Sequence, residues 1–301
     1  MSVIDLHTHG IEGLDTRTSN PETIRKIAEM QGRAGVTEIV LSIYSGPIRT
    51  MREQMMAVKK AMELQPATGC REGLLPPPDM PDSHLPAHIL GVHLEGPFLN
   101  PLRCGALDPA TFIGARETAW RELVEGYEDI VRIVTIAPER EGAPVLIRKL
   151  DRAGVAVNMG HSDATYAEAE TGFRAGARGI THLFNAMSGL HHRKPGLAAF
   201  GLLQKDIYVE VIADLRHLHE KIVELVLRLK GPDKCILVSD SVKETRIHGG
   251  QPPTPSDQSG RLLGGSMTLA AASRLLMDKG FDRETVMRAV SVNPRDYLNK
   301  T

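Results

Sequence analysis

The stretch VIDLHTH, residues 3–9, is a short run of apolar and β-branched residues that ends in two histidines. Val3 to Leu6 is typical of a buried β-strand. Because side chains alternate between the two faces of a strand, His7 and His9 are expected on the same face. The sequence therefore predicts a first strand whose end directs two imidazoles toward one site.

The chain continues from this strand as an alternation of helices and strands. Asn20 followed by Pro21 is a typical helix start, and this helix is predicted to reach the glycines at 32 and 35. Short β-branched runs recur after it, each followed by a loop or a helical pattern. They predict seven further strands: Glu38–Ile43, His88–Leu94, Val131–Ile136, Val155–Met159, Ile180–Leu183, Tyr208–Ala213 and Cys235–Ser239.

Eight strands that alternate with helices indicate an α/β protein of the (β/α)8, or TIM, barrel type. Such a barrel takes about 250 residues, so one barrel domain is expected to occupy residues 1–301. Other segments fit this plan: helices are predicted at Ile48–Leu64, Met267–Lys279 and Arg283–Val290, and loops at Leu75–Pro86 and Ser241–Gly265.

Composition and charge exclude several other classes of protein. The 42% of hydrophobic and 24% of charged residues are those of a globular chain, and a net charge of -1 argues against nucleic acid or an anionic membrane as a partner. The three cysteines form no CxxC pair, which disfavours disulfides and a thiolate zinc site. Asp5 leaves no room for a secretory signal, so a cytoplasmic location is expected.

The ends of the predicted strands carry residues that bind metals. In barrel enzymes, catalytic groups lie at the carboxyl ends of the strands. Neutral imidazoles together with a carboxylate suit Zn, Fe or Mn. Any one of these histidines alone would be read as a structural, hydrogen-bonded residue, but together they indicate one metal site. The candidates are His7, His9, Glu95, His161, His182 and Asp240.

Longer motifs around these residues resemble the N-acetylglucosamine-6-phosphate deacetylase family of the amidohydrolase superfamily. The resemblance extends from residue 5 to about residue 295, and GVHLEGPF together with HLFNAM is the specific part of it. HxH on a first strand marks only the superfamily. The motifs are HTHG (7–10), GVHLEGPF (91–98), GHSDAT (160–165), HLFNAM (182–187), HHRKPG (191–196) and VSDS (238–241).

The resemblance implies a metal-dependent amide hydrolase with one or two divalent ions, Zn first and Fe or Mn as alternatives. It implies that Glu95, His161 and His182 hold the main ion, and that Glu95 bridges to a second ion held by His7 and His9. Asp240 then matches the general acid and base, which moves a proton from water to the departing amine.

The resemblance also implies contacts to an amino sugar phosphate. Arg193 matches a phosphate-binding arginine that is often lent by a neighbouring subunit, so a homodimer is expected, although a solvated loop arginine is the alternative. His217 matches a sugar-contacting histidine, with a surface histidine as its alternative. The remaining candidates are Ala106, Asn185, Ala186, Leu263, Gly264 and Gly265.

Three departures from the family leave other functions open. Typical members add a small β-sandwich built from segments before the HxH motif and after the last helix, and no such separate domain is expected here. Leu107 stands where many relatives have a histidine, and Leu215 replaces a glycine near His217. The alternatives are an amidohydrolase acting on another acylated amine or amino sugar, or a noncatalytic protein that binds metal or a sugar phosphate.

Overall fold

A computed structural model of the protein describes residues 2–65, 85–247 and 254–299. Eight parallel strands form one sheet in which each strand pairs with the next one along the chain, and helices cover it. The predicted (β/α)8 barrel is therefore confirmed. Its strands are β1 (Ile4–Thr8), β2 (Glu38–Tyr44), β3 (His88–Glu95), β4 (Val131–Ile136), β5 (Ala156–Met159), β6 (Gly179–Ile180), β7 (Tyr208–Ile212) and β8 (Cys235–Val238).

Main-chain hydrogen bonds close the barrel between β1 and the residues that follow β8. The amide of Asp240 donates to the carbonyl oxygen of His7 at 2.9 Å, and the amide of His9 donates to that of Ser241 at 2.7 Å. The hydroxyls of Thr8 and Ser241 lie 2.6 Å apart on the outer side of this seam. Closure therefore places the histidines of the first strand beside the aspartate that follows the last strand.

Helices form the outer layer of the barrel. The first begins as predicted, because the Asn20 side chain accepts a hydrogen bond from the amide of Glu22 and Pro21 follows as the first helical residue. No helix within the described ranges has the length and apolar character that a membrane span requires. The helices are α1 (Pro21–Arg33), α2 (Ile48–Glu63), α3 (Glu117–Val124), α4 (Ala143–Arg152), α5 (Tyr166–Ala175), α6 (Leu197–Leu203), α7 (Glu220–Lys230), α8 (Leu269–Asp278), α9 (Arg283–Val290) and α10 (Val292–Asn299).

The apolar core has two parts. The larger part lies between the strands and the surrounding helices, and Leu41, Val134 and Leu237 belong to it. The smaller part includes Ile133 and Ile236, which alternate with the first set along their strands. The strand ends carry buried polar side chains instead, and the functional site is built from these.

Some elements differ from the sequence-based prediction. Strand β6 ends at Ile180 rather than at Leu183, because His182 and Phe184 adopt φ angles of 28° and 77° that end the extended conformation. A two-stranded hairpin, Gly10–Ile11 with Leu14–Asp15, and helix α10 were not predicted. Most of the loop predicted at Leu75–Pro86 falls on residues 66–84, outside the described ranges.

Candidate active site

The six residues proposed as metal ligands converge at the carboxyl ends of the strands. They form two groups, and within each group the candidate ligand atoms all lie within 4.8 Å of one another. The imidazoles and Glu95 are buried, whereas Asp240 is partly exposed. The first group is His7, His9 and Asp240, and the second is Glu95, His161 and His182.

Glu95 belongs to the second group and also contacts a histidine of the first. Its Oε1 is 3.0 Å from Nε2 of His161 and 3.1 Å from Nε2 of His182. Its Oε2 is 3.2 Å from Nε2 of His9, which belongs to the other group. A carboxylate placed in this way can bind one ion through each oxygen, as a bridge between two ions requires.

Hydrogen bonds to Nδ1 of His161 and of His7 orient these two rings so that Nε2 of each points into the site. Nδ1 of His161 lies 3.0 Å from the carbonyl oxygen of Arg103, and Nδ1 of His7 lies 3.4 Å from a carboxylate oxygen of Glu210. When a cation binds, the proton of each neutral ring stays on Nδ1 and Nε2 offers its lone pair, whereas in the charged form of the ring Nε2 carries a proton as well. Nε2 of His161 is only 3.2 Å from Nε2 of His182, and such facing nitrogens need a proton or a cation between them. The facing Nε2 atoms of His161 and His182 fit the ligand sphere of a divalent ion.

The charges around the histidines fit the same ion. Burial raises the pKa of Glu95, but hydrogen bonds from His161, His182 and His7 outweigh it and hold the pKa well below its usual value. Burial also opposes a charge on His7, yet Asp240 and the other neighbouring carboxylates raise the pKa of His7 well above normal. The site thus attracts positive charge.

The main chain turns sharply at three of these residues. His161, His182 and Asp240 follow β5, β6 and β8, and their φ angles are 46°, 28° and 47°. Positive φ is unfavourable for residues other than glycine, and such strain concentrates at functional sites. These turns aim the side chains into the barrel mouth at the point where each strand ends.

Sequence reasoning missed two residues that support the ligands. The ring of Tyr44, at the end of β2, stacks on His9 with 3.7 Å between centroids. Glu210, which receives Nδ1 of His7, also accepts a 2.7 Å hydrogen bond from the side chain of Asn158. A charged residue inside the apolar run of β7 was the available signal for Glu210, because buried carboxylates need partners.

A cavity of about 250 Å³ opens above these ligands. It is bounded by loops that follow several strands, as is usual for the active site of a barrel. Six of the eight residues predicted to contact substrate line it: Ala106, Asn185, Ala186, His217, Leu263 and Gly264. Tyr44, Leu107, Ile212, Arg261 and Leu262 line it too and were not predicted.

The other two predicted contacts lie outside this lining. Gly265 is buried behind it, where its amide donates to the carbonyl oxygen of Asp240 at 2.7 Å. A Cβ at Gly265 would lie 1.8 Å from the carbonyl oxygen of Ser239, so the close approach of two main-chain segments requires glycine. Arg193 is exposed, and its guanidinium lies 2.7 Å from Nε2 of His192.

His217 is held in the cavity wall by Asp214. Its Nδ1 lies 3.0 Å from Oδ2 of Asp214, which also accepts hydrogen bonds from the amide and hydroxyl of Ser266. Burial lowers the pKa of His217, but the hydrogen bond and the charge of Asp214 outweigh it and raise that pKa. The pKa of the Asp214 carboxyl is correspondingly lowered against its own burial. The imidazole is thus fixed in orientation, and the neighbouring carboxylate of Asp214 stabilises its charged form.

Comparison with known proteins places the chain in a family, although no protein-family model matches it. N-acetylgalactosamine-6-phosphate deacetylase of Escherichia coli O157:H7 is 31% identical over 98% of this chain and 76% of its own length. N-acetylglucosamine-6-phosphate deacetylase of Bacillus subtilis (strain 168) is 32% identical over 92% of this chain and 67% of its own length.

Solved structures agree with the curated relatives. The crystal structure of N-acetyl-D-glucosamine-6-phosphate deacetylase from Mycobacterium smegmatis superimposes with a TM-score of 0.83 at 28% identity, covering 99% of this chain and 78% of that one. This chain spans 58 to 76% of the length of the first curated relatives it matches. By sequence and by structure, then, the chain belongs to the N-acetylglucosamine-6-phosphate deacetylase family.

Proposed function

We propose that the protein hydrolyses the acetamide of an N-acetylhexosamine 6-phosphate, with N-acetylglucosamine 6-phosphate as its first substrate. The products are acetate and glucosamine 6-phosphate. The observation that carries this proposal is the convergence of two histidine pairs on Glu95, with Asp240 beside them, under a cavity of sugar size. The family relationship supplies the substrate class.

The types of side chain that converge here support a set of metal ligands for this proposal. Glu95, His161 and His182 would hold the main ion, and His7 and His9, together with Glu95, would hold a second one. Zinc is the first choice for imidazole and carboxylate ligands, and iron or manganese would fit the same set. When bound, a divalent ion of this kind polarises the amide carbonyl and lowers the pKa of water.

Asp240 would move the proton in this reaction. Its Oδ1 lies 3.5 Å from Nε2 of both His7 and His9, and the side chain reaches the cavity. The carboxylate takes a proton from the attacking water as the new C–O bond forms. It then gives that proton to the sugar nitrogen as the C–N bond breaks, so that acetate and a free amine leave.

The cavity wall would recognise the sugar phosphate. Asn185 and Ala186 are proposed to meet the phosphorylated sugar, and His217 a sugar hydroxyl. Arg193 lies outside the cavity of its own chain, and we assign it to the phosphate in the active site of a partner subunit. The proposed assembly is therefore a homodimer, and the proposed location is the cytoplasm.

N-acetylgalactosamine 6-phosphate is the second candidate substrate. The Escherichia coli relative, which matches nearly the whole chain, is named for the galactosamine sugar. The two sugars differ only in the configuration of one hydroxyl, so the same catalytic groups serve both. Another acylated amine or a noncatalytic role remains the alternative if neither sugar phosphate is hydrolysed.

Release of free amine by zinc-reconstituted protein tests the proposal. N-acetylglucosamine 6-phosphate and N-acetylgalactosamine 6-phosphate are assayed in parallel, with unphosphorylated N-acetylglucosamine as the control. We expect turnover of the glucosamine phosphate and little of the free sugar. No turnover of any of the three, with bound zinc confirmed by metal analysis, would reject the deacetylase assignment.

A further inference from the structure

We infer that Arg261 of the same chain binds the phosphate of the substrate. This inference rests on the proposed function, because it assumes a phosphorylated ligand in the cavity. Within the described ranges, Arg261 is the only lysine or arginine that lines the cavity. The carboxylates of Glu95 and Asp240 also line the cavity, and they would repel a phosphate placed close to the candidate metal ligands. A cation on the wall therefore directs the anionic end of the ligand away from them.

A hydrogen bond fixes where this cation lies. A terminal nitrogen of Arg261 donates to the carbonyl oxygen of Gly105 at 2.8 Å. Gly105 packs directly on the loop that follows β6, since a Cβ there would lie 3.2 Å from Cβ of Ala186. The guanidinium thus lies close to the segment proposed to meet the sugar phosphate.

The guanidinium retains the donors that a phosphate needs. Arginine has five N–H donors in a planar fork, and the bond to Gly105 uses one of them. The side chain has no other hydrogen bond or ion pair to any described residue. A planar fork with free donors matches the oxygens of a phosphate in a bidentate contact.

An ordered turn presents Arg261 to the cavity. Oδ1 of Asp257 accepts a hydrogen bond from the amide of Arg261 at 3.0 Å. The amide of Leu263 donates to the carbonyl oxygen of Pro255 at 2.8 Å, which pairs the two sides of the turn. The turn holds the backbone on both sides of Arg261, so the side chain is directed across the mouth toward Gly105.

Arg261 and Arg193 would bind the phosphate in different ways. Arg193 is outside the cavity of its own chain and would act only across a subunit interface. Arg261 is already in the cavity of its own chain and needs no partner. Loss of Arg261 should therefore weaken phosphate binding at protein concentrations both above and below any dimer dissociation constant.

The test compares Arg261→Ala and Arg261→Lys with wild type and with Arg246→Ala. Arg246 is a matched control, because its guanidinium donates to the carbonyl oxygens of Lys243 and Thr245 and does not line the cavity. We expect Arg261→Ala to raise KM for N-acetylglucosamine 6-phosphate about 10–100-fold with little change in kcat, the loss of a charge-assisted contact. Arg261→Lys should restore part of the lost affinity for N-acetylglucosamine 6-phosphate. Arg246→Ala should match wild type in both KM and kcat.

Calorimetric binding of glucosamine 6-phosphate and glucosamine separates this inference from the proposed function. If wild type binds glucosamine 6-phosphate without hydrolysing the acetylated substrate, and Arg261→Ala loses that binding, the inference holds while the deacetylase proposal fails. If Arg261→Ala matches Arg246→Ala in KM and in glucosamine 6-phosphate affinity, the inference is wrong. Failure of wild type to prefer glucosamine 6-phosphate over glucosamine would also overturn it.

Discussion

Nδ1 of His161 lies 3.0 Å from the main-chain carbonyl oxygen of Arg103, and this contact orients the imidazole toward Glu95. The side chain of Arg103 is itself bound by Asp163, with 2.8 Å from Nε to Oδ1. Glu139 in turn accepts a 2.7 Å hydrogen bond from the amide of Asp163. The loops after β3, β4 and β5 are thus tied together around one candidate metal ligand.

Loss of Glu139 is expected to weaken metal binding although it touches no metal. Glu139 also accepts hydrogen bonds from the side chains of Asn100 and Ser162, so Glu139→Ala releases both flanks of His161. Supporting residues of this kind are typically worth about 10–100-fold in metal affinity. Zinc affinity measured by competition with a chelating dye should fall by that factor. The exposed Glu141→Ala is the control, and equal affinities for the two variants would show that Glu139 does not position His161.

The two ligand groups predict two metal equivalents per chain. The double variant His7→Ala/His9→Ala removes one group and leaves Glu95, His161 and His182 in place. Mass-spectrometric metal analysis after zinc loading and dialysis should give about two ions for wild type and one for the variant, as expected for two separate ligand groups. The exposed His192→Ala should retain both. One ion in wild type, or none in the double variant, contradicts the two-site interpretation.

Local patterns were sufficient to predict most of the barrel. Val131–Ile136 and Cys235–Val238 are short runs rich in β-branched residues, and Cys235–Val238 is apolar and buried throughout. The placement of His7 and His9 followed from alternation along one strand. The convergence of candidate ligands from five strands was predictable because the carboxyl ends of a parallel barrel all meet at one mouth.

Long-range partners were beyond such reasoning. Glu210 meets His7 although 203 positions separate them, and only the closed barrel brings the two strands together. Arg261 reaches the cavity because its turn brings it to the carbonyl oxygen of Gly105. No hydrophobic periodicity in the sequence predicts this contact. The length of β6 was overestimated because the positive φ of His182, which depends on its surroundings and not on its residue type, ends the strand early. Each of these three features depends on a contact between distant segments or on a strained main chain.

Asp240→Asn should separate proton transfer from metal binding. Asparagine keeps the size of the side chain but cannot accept the proton of water, so kcat should fall about 100–10,000-fold. The ligands Glu95, His161 and His182 are unchanged, and zinc should remain bound to them. Metal content and the amine-release rate are measured on the same sample. A variant that keeps full activity excludes Asp240 as the proton carrier, and one that loses all zinc points to Asp240 as an essential ligand.

Gly265→Ala should disturb both stability and catalysis through the main chain. The added Cβ would lie 1.8 Å from the carbonyl oxygen of Ser239, so the segment that carries Asp240 must shift. Overpacking of a buried site costs about 1–3 kcal/mol of unfolding free energy. Gly189→Ala is the control, because a Cβ there meets nothing within 4 Å. Thermal melting and kcat are the measurements, and a Gly265→Ala protein that matches the control in both would show that the approach is not constrained.

The pair of His217 and Asp214 predicts a defined dependence of stability on pH. The pKa of His217 is raised in the folded state, so its contribution is complete below the ordinary pKa of 6.5 and is lost as pH rises through the folded value. The pKa of Asp214 is lowered, so its contribution is present above the ordinary 3.8 and is lost only in stronger acid. Asp214→Asn should therefore cost more unfolding free energy at pH 6 than at pH 9.

Urea unfolding of metal-free protein at the two pH values measures this difference. Removing the metal keeps acid release of bound ions out of the comparison. In a His217→Gln background no charge pair exists, so the cost of Asp214→Asn should no longer differ between pH 6 and pH 9. If the cost in the His217 protein is equal at both pH values, Asp214 does not raise the pKa of His217 and their hydrogen bond carries no charge attraction. A larger cost at pH 6 shows that Asp214 stabilises the charged form of His217 in the folded protein.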